Sequence, residues 1–193
     1  MVPSATGATT EVWRHGSRAF GFERIGVVVG DLYFVDPQPH PDQEGAERGV
    51  RLEVRFLERG DLPGSIYSAQ PISIDRPIWR ADLLESVDGN PGSFDRTHHH
   101  PEFREWEPGS RTFDVQMSAD PIAYVGSRLR DLRGLCVGAG IDPSSIPATD
   151  ADQLRAAVPD ILAVVSRLLA GVRAGVLARP PLEGGTSVRA GWL

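Results

Sequence analysis

The spacing of apolar residues changes near residue 118, and this change constrains the fold more than any other feature of the chain. In the segment 51–56, before the change, every second residue is apolar, whereas after it apolar residues recur at every third or fourth position. Strict alternation is typical of a half-exposed antiparallel strand, and spacings of three and four are typical of an amphipathic helix. The sequence therefore predicts an α+β fold, with a β-rich part at 10–118 and helices at 119–178.

The β-rich part has turn-forming residues between short apolar runs, which indicate six or seven strands. The pair Gly30-Asp31 stands between the runs 27–29 and 32–35, and glycine in the first position of a two-residue connection favours a type II′ hairpin. Further strands are expected at 65–74, 77–85, 94–100 and 111–117. Strands with such short connections predict a curved antiparallel sheet or an open barrel.

The second part carries the signals of a helical hairpin. Asp120 and Pro121 supply a capping carboxylate and a proline suited to the first turn of a helix, and Gly138 marks the end of that helix. A second apolar stripe follows, but Pro159 interrupts it, and a proline inside a helix removes a backbone hydrogen bond. We therefore expect a break at Pro159 and a C-terminal helical hairpin that lies on the sheet.

We expect a single domain spanning 1–193, with a flexible, glycine-rich tail at 179–193. The single cysteine, Cys136, excludes an internal disulfide, and the first residues have neither the basic nor the apolar stretch of a secretory signal. Arg167 and Arg173 interrupt the most apolar stretch, 161–178, so that it is not expected to span a membrane. These features favour a cytoplasmic protein.

The charged residues exclude some reaction classes and make some partners unfavourable. All 20 basic residues are arginine, and without lysine the chain cannot form a Schiff base with a carbonyl substrate or with pyridoxal phosphate. The net charge of −6 is concentrated in 1–118, which holds 12 arginines against 19 carboxylates. A surface with this excess repels phosphate backbones, so that nucleic acid is not an expected partner.

Three of the five histidines lie together in the segment 96–101. In an extended strand His98 and His100 point to one face and His99 points to the other. Two imidazoles on one face, together with the carboxylate of Glu105, form a ligand set that suits Zn, Fe or Mn and leaves coordination positions open. The segment therefore predicts a site for a divalent transition metal, bound by His98, His100 and Glu105.

The neighbouring charged residues suggest further roles at this site. Glu105 can serve either as the third ligand or as a general base. Three residues are candidates for a fourth ligand: His40, Asp82 and Asp95. Arg96, on the face of the two histidines, and Arg80, on a nearby strand, are expected to hold an anionic group of a small-molecule substrate. These roles indicate a metal-dependent hydrolase or oxygenase.

The spacing of Gly92, His98, His100 and Glu105 resembles the first motif of the cupin family, a group of small β-barrel proteins. In that family the two histidines and the glutamate are metal ligands, so the resemblance implies the same ligand set here. It covers the 14 residues 92–105 and departs from the family beyond them. Thr112 stands where the motif has glycine, and no histidine follows His100, so that a conventional cupin barrel is not expected.

The histidine-rich strand, which contains an arginine and precedes a terminal helix, also resembles that of the TumE-type toxins. These toxins are associated with RNA cleavage and with a partner antitoxin. The resemblance implies a metal-free ribonuclease in which His98 and His100 act as acid and base and Arg96 stabilises a phosphate. No exact motif matches, and the acidic β-rich part argues against RNA, so this reading is kept as an alternative.

A partner-binding module without catalysis is the other alternative. Histidines on a strand that ends at Pro101 are consistent with a polar sheet edge and no chemistry. The last helix has one apolar seam and a second stripe containing Leu162 and Leu169, which is more apolar surface than a single packing partner covers. This surplus predicts a homodimer formed through the C-terminal helix.

Overall fold

Five antiparallel strands form an open sheet in which each strand pairs with its neighbours in the chain. The computed structural model describes residues 17–36, 39 and 41–180. The strands are β1 (Arg18–Gly21), β2 (Ile25–Val35), β3 (Ala46–Arg59), β4 (Ile72–Ser86) and β5 (His98–His100). A short separate hairpin of β6 (Phe103–Arg104) and β7 (Glu107–Pro108) follows β5.

The helices follow the strands and cover one face of the sheet. They are α1 (Val115–Ala119), α2 (Pro121–Arg130), α3 (Leu132–Gly138) and α4 (Ala148–Arg173), with a turn of 3₁₀-helix at Pro143–Ser145. The long helix α4 packs on β2 and β3, and α2 packs against α4. The segments 10–16 of the predicted β-rich part and 181–193 of the predicted tail lie outside the described residues.

Alternation along the strands gives the sheet an apolar face and a polar face. On β3, Val50, Leu52 and Val54 are fully buried and belong to the hydrophobic core that the helices complete. Arg51 and Glu53 alternate with them and therefore lie on the opposite face. That face is shielded as well, since Glu53 is only 2 % exposed. The sheet thus carries a buried polar layer on the side away from the helices.

The α+β class is confirmed, but the sheet has five strands instead of six or seven and does not close into a barrel. The predicted hairpin at Gly30-Asp31 is also wrong, because both residues continue β2 and pair with Arg51 and Val50 of β3. β3 is long enough to pair with the whole of β2. The Asp31 carboxylate accepts a hydrogen bond from the backbone N–H of Ala178, so that it is satisfied within the strand.

Four other strand predictions have wrong boundaries. The expected strands at 65–74 and 77–85 are one strand, β4, which begins only at Ile72. The expected strand at 94–100 is reduced to the three residues of β5, since Phe94 has a positive φ of 49° and lies in a turn. In the segment 111–117, Thr112 forms a single bridge to His99, and the chain then enters α1.

The helix start predicted at Asp120 and Pro121 is confirmed, although α1 already begins at Val115. The Asp120 carboxylate accepts a hydrogen bond from the N–H of Ala123 and caps α2, with Pro121 in the first turn. The first helix divides at Asp131, which caps α3 in the same way. Two helices therefore stand where one was predicted.

The predicted break at Pro159 is wrong, because α4, which is 26 residues long, passes through it without interruption. Val158 and Ile161, on either side of the proline, are fully buried in the core. Packing of an apolar face contributes most of the stability of helices in proteins, and here it outweighs the hydrogen bond that the proline removes.

The second apolar stripe of α4 is covered within the chain. Leu162 is half-buried and packs against Gly126 of α2, where a methyl group on the glycine would come within 2.9 Å of the leucine. Leu169 is 7 % exposed and belongs to the core. The homodimer stays a prediction, but the surface that suggested it is already occupied by α2.

Candidate metal centre

Asp82, His98 and His100 come together on the polar face of the sheet. β4 and β5 pair antiparallel, which places Asp82 directly opposite His98 and Arg80 opposite His100. Residues opposite each other in antiparallel strands share a face, and so do residues two positions apart along one strand. The prediction that the two histidines share a face is therefore confirmed, and the register of β4 adds a carboxylate to them.

The spacing of the three side chains matches that of metal ligands. The Nε2 atoms of His98 and His100 lie 3.5 Å and 3.6 Å from Oδ2 of Asp82. One ligand atom from each residue lies within 4.8 Å of the other two. Metal–ligand bonds of about 2.1 Å in a tetrahedral site place neighbouring ligand atoms about 3.4 Å apart. The two measured distances are close to this value.

Backbone carbonyl groups orient both imidazole rings. Nδ1 of His98 lies 2.8 Å from the carbonyl oxygen of Arg96, and Nδ1 of His100 lies 2.8 Å from that of Gly109. A carbonyl oxygen can only accept, so Nδ1 is the donor in each ring, and in a neutral ring Nε2 then carries the free lone pair. Such bonds to the second ring nitrogen are usual for metal-bound histidines, because they fix the tautomer and the ring orientation.

The charge state of Asp82 is set by Arg51. The guanidinium donates from Nε to Oδ1 at 2.6 Å and from a terminal nitrogen to Oδ2 at 3.1 Å. Burial by itself would raise the pKa of Asp82, but the charge and hydrogen bonds of Arg51, together with the two histidines, hold it well below its usual range. Asp82 is therefore an anion, and its bond to Arg51 is the kind that supports a ligating carboxylate.

His98 is a poor place for a proton that would compensate the charge of Asp82. Burial lowers the pKa of His98 to about 4, despite the nearby charge of Asp82. His98 is therefore neutral at neutral pH. When both rings are neutral, two imidazole lone pairs and a carboxylate oxygen converge in a place where side chains are at most 7 % exposed. Buried acceptors in this arrangement are stabilised by a bound cation.

Ion pairs surround the three residues on the same face. Arg80 donates to Glu53 at 2.6 Å, and Arg55 donates to the other oxygen of that carboxylate at 2.8 Å. Arg111 donates to Asp36 at 3.0 Å and lies 3.7 Å from Glu47. The arginines of this layer are therefore paired with carboxylates instead of pointing freely into solvent.

Glu105 does not join the histidines. It lies in the tight turn between β6 and β7, with a positive φ of 57° and an exposed side chain. Among the described residues, the group with metal-ligand spacing contains Asp82 in the place for which Glu105 was predicted. The cupin-like spacing thus continues into a turn that carries its glutamate away from the site.

Arg96 and Arg80, the predicted substrate-binding residues, both have protein partners. The Arg96 guanidinium donates to the carbonyl oxygens of Asp42 and Glu44, at 2.8 Å and 3.4 Å, and thereby holds the loop before β3. Arg80 bonds to Glu53 and lies over the ring of Phe103, 5.1 Å from its centre. Arg80 therefore lies beside the histidines, whereas the Arg96 guanidinium is bonded to the loop before β3.

The remaining candidates have structural contacts or fall outside the described residues. His99 lies on the apolar face, where its Nδ1 accepts a hydrogen bond from the Trp79 indole and its ring packs near Tyr124. Asp95 is exposed and accepts the backbone N–H of Ser86. His40 lies outside the described residues.

Asp82 was named from the sequence only as a possible fourth ligand, although it is central to the site. Its position is set by the pairing of β4 with β5, and no local pattern reveals which residue of one strand faces which residue of another. The usable signal was weak: Asp82 alternates with the apolar Ala81 and Leu83, and a carboxylate that is buried on such a strand is costly unless it has a partner.

Comparison of the chain with protein-family models, curated proteins and solved structures found no match. Within the described ranges, no helix has the length and apolar character needed to cross a membrane. The chemistry of the Asp82, His98 and His100 group is therefore the basis on which a function can be assigned.

Proposed function

We propose that this protein binds one divalent transition metal ion, Zn, Fe or Mn, through Asp82, His98 and His100. The observation that supports it best is the hydrogen bonding of both Nδ1 atoms to backbone carbonyls, which turns both Nε2 lone pairs toward the Asp82 carboxylate. Two imidazoles and one carboxylate are a donor set that these metals share.

The same donor set favours a catalytic role over a purely structural one. Structural zinc sites use four protein ligands, whereas catalytic sites use three and keep a position open. The group found among the described residues has three members. A metal ion held this way supplies a Lewis acid and a bound water of lowered pKa. The protein residues hold and orient it: Arg51 fixes Asp82, and the carbonyls of Arg96 and Gly109 fix the rings.

Neither alternative function gains support from a specific contact. The metal-free ribonuclease requires Arg96 to hold a phosphate, but its guanidinium is bonded to the carbonyls of Asp42 and Glu44. The dimerising module requires a free second stripe on α4, but Leu162 packs against α2. A metal-dependent hydrolase or oxygenase therefore remains the function that we propose.

Metal content of the untagged protein tests this proposal. We expect the wild-type chain, dialysed against Zn²⁺ and then against metal-free buffer, to retain one equivalent by elemental analysis. His98→Ala, His100→Ala and Asp82→Asn should each lose at least about tenfold in affinity, because each removes one of three ligands. Circular dichroism of each variant shows whether the fold is kept.

Two control variants separate this site from adventitious binding. His99→Ala removes a histidine of the same strand that points to the other face, and Glu105→Gln removes the carboxylate of the β6–β7 turn. Both variants should retain one equivalent of metal. Equal retention by all five variants, or loss in Glu105→Gln alone, would reject the proposed ligand set.

A further inference from the structure

Two phenyl rings flank the candidate metal centre. Phe113 lies beside His98 with ring centres 5.4 Å apart, and Phe103 lies beside His100 with ring centres 6.3 Å apart. The two imidazoles themselves meet edge to face, with centres 5.1 Å apart. The four rings thus form a row, phenyl, imidazole, imidazole, phenyl, with Asp82 bridging the two imidazoles.

These phenyl rings are not part of the hydrophobic core. Phe113 is 49 % exposed, and Phe103 is half-buried in the short hairpin that follows β5. The histidines beside them are almost fully buried. Exposed aromatic carbon next to a buried polar group is the usual composition of a small-molecule site, where apolar side chains line the walls and a few polar groups fix the orientation.

The charges near the centre indicate where an anionic group would bind. Arg51, Arg80 and Arg111 are each paired with a carboxylate: Asp82, Glu53 and Asp36 respectively. A ligand whose remaining part is negatively charged would therefore have to displace one of these ion pairs. A divalent ion held by a single carboxylate, in contrast, retains positive charge and attracts an anionic oxygen donor.

We propose that the centre takes a small aromatic ligand that carries a chelating anionic oxygen group, of the aryl carboxylate or aryl hydroxamate class. This inference rests on the metal-binding function proposed above. The oxygen group occupies the open positions of the metal, and the aryl ring packs against Phe113 or Phe103 in an edge-to-face or offset arrangement. Phe113 and Phe103 thus favour a ligand whose remaining part is an uncharged aromatic group over one whose remaining part is anionic.

Cobalt-loaded protein and two hydroxamates test the inference. The visible absorption of bound Co²⁺ reports first whether the ion occupies the site and then whether a ligand joins it. We expect benzohydroxamate to bind about ten times more tightly than acetohydroxamate, which has the same chelating group and no ring. Phe113→Ala and Phe103→Ala together should reduce this ratio about three- to tenfold through loss of aromatic contacts, and leave the affinity for acetohydroxamate unchanged.

A matched control is Trp106→Ala. Trp106 lies in the same β6–β7 hairpin and is 55 % exposed, but its ring contacts Arg55 and not the histidines. This variant should keep the wild-type ratio. If Co²⁺ binds with the wild-type stoichiometry and the two hydroxamates bind equally well, the aromatic preference is overturned while the metal site stands. If Co²⁺ does not bind to the wild-type protein, both proposals are overturned.

Discussion

Glu47 is the least satisfied charge among the described side chains of the polar face. It is 1 % exposed, and neither of its carboxylate oxygens has a hydrogen-bond partner, although Arg111 lies 3.7 Å away. Burial raises the pKa of Glu47 against the opposing charges of Arg111 and Arg96. A carboxyl group whose pKa is higher in the folded state destabilises the fold at high pH, where it must ionise while buried.

We expect Glu47→Gln to raise the free energy of unfolding at pH 7 by about 1 kcal/mol. Glutamine has nearly the same shape as glutamate, so the substitution removes a buried charge and leaves the packing unchanged. Below the ordinary pKa of 4.5 the wild-type group is protonated in both states, so the difference should disappear. Urea unfolding at pH 7 and pH 4 measures this. Glu53→Gln is the control, because Glu53 has two arginine partners, and that variant should be less stable at pH 7. A loss of stability in Glu47→Gln at pH 7 would show that the ion pair with Arg111 dominates.

Gly49 is required by the close approach of β3 and β4. A Cβ atom at this position would overlap the carbonyl oxygen of Leu83 on the neighbouring strand. We expect Gly49→Ala to lower the free energy of unfolding by at least about 2 kcal/mol, because backbone atoms must move to make room. In Gly138→Ala, at the end of α3, the added methyl group meets nothing within 4 Å. Chemical denaturation should show that variant as stable as the wild type, and equal losses in both would contradict the steric argument.

At the scale of elements, Asp150 joins the long helix to the sheet. It is fully buried in the first turn of α4, which has no side-chain cap of its own. Its carboxylate accepts hydrogen bonds from the backbone N–H groups of Glu23, Arg24 and Ile25, at 3.0 Å, 2.8 Å and 3.2 Å. One side chain thus satisfies the turn between β1 and β2 and sets the position of α4 on β2.

We expect Asp150→Ala to lower the free energy of unfolding by about 3 kcal/mol, because it leaves buried N–H groups without an acceptor. The control is Asp152→Ala on the same helix. Asp152 is highly exposed and pairs with the exposed Arg155, so its removal should cost less than about 0.5 kcal/mol. Urea denaturation curves of the two variants give the comparison, and similar midpoints for both would contradict the role assigned to Asp150.

At the scale of the whole molecule, the candidate centre connects segments that are distant in the chain. Asp82 lies on β4 and the histidines lie on β5, while the carbonyl of Gly109 orients His100 from beyond the β6–β7 hairpin. A ligand that binds only the folded state stabilises that state in proportion to the logarithm of its concentration. Metal binding should therefore stabilise the domain as a unit.

We expect Zn²⁺ at a free concentration about 100 times its dissociation constant to stabilise the wild-type protein by about 2.7 kcal/mol. For a domain of this size the melting temperature should rise by about 5 to 10 °C, and a chelator should reverse the rise. Differential scanning calorimetry of the wild type and of His100→Ala measures the effect. The same rise in the variant would place the bound metal elsewhere.

Local patterns in the sequence predicted much of the architecture, because they act between neighbouring residues. The alternation at 51–56 predicts a strand with one buried face, and the pair Asp120 and Pro121 predicts a helix start, as observed. Predictions failed where a distant segment decided the outcome. Gly30-Asp31 stays in a strand because β3 pairs with it, and Pro159 stays in a helix because the core packs around it.

The candidate site also has one part that local patterns predicted and one part that distant segments decided. The sequence by itself determined the α+β class and the shared face of His98 and His100, since both follow from the periods of helix and strand. Only the tertiary structure decided that Asp82, and not Glu105, lies with them. Glu105 is near in sequence, but the β6–β7 turn directs it into solvent. Asp82 is brought opposite His98 by the register of β4 against β5, which depends on long-range pairing that no local pattern encodes.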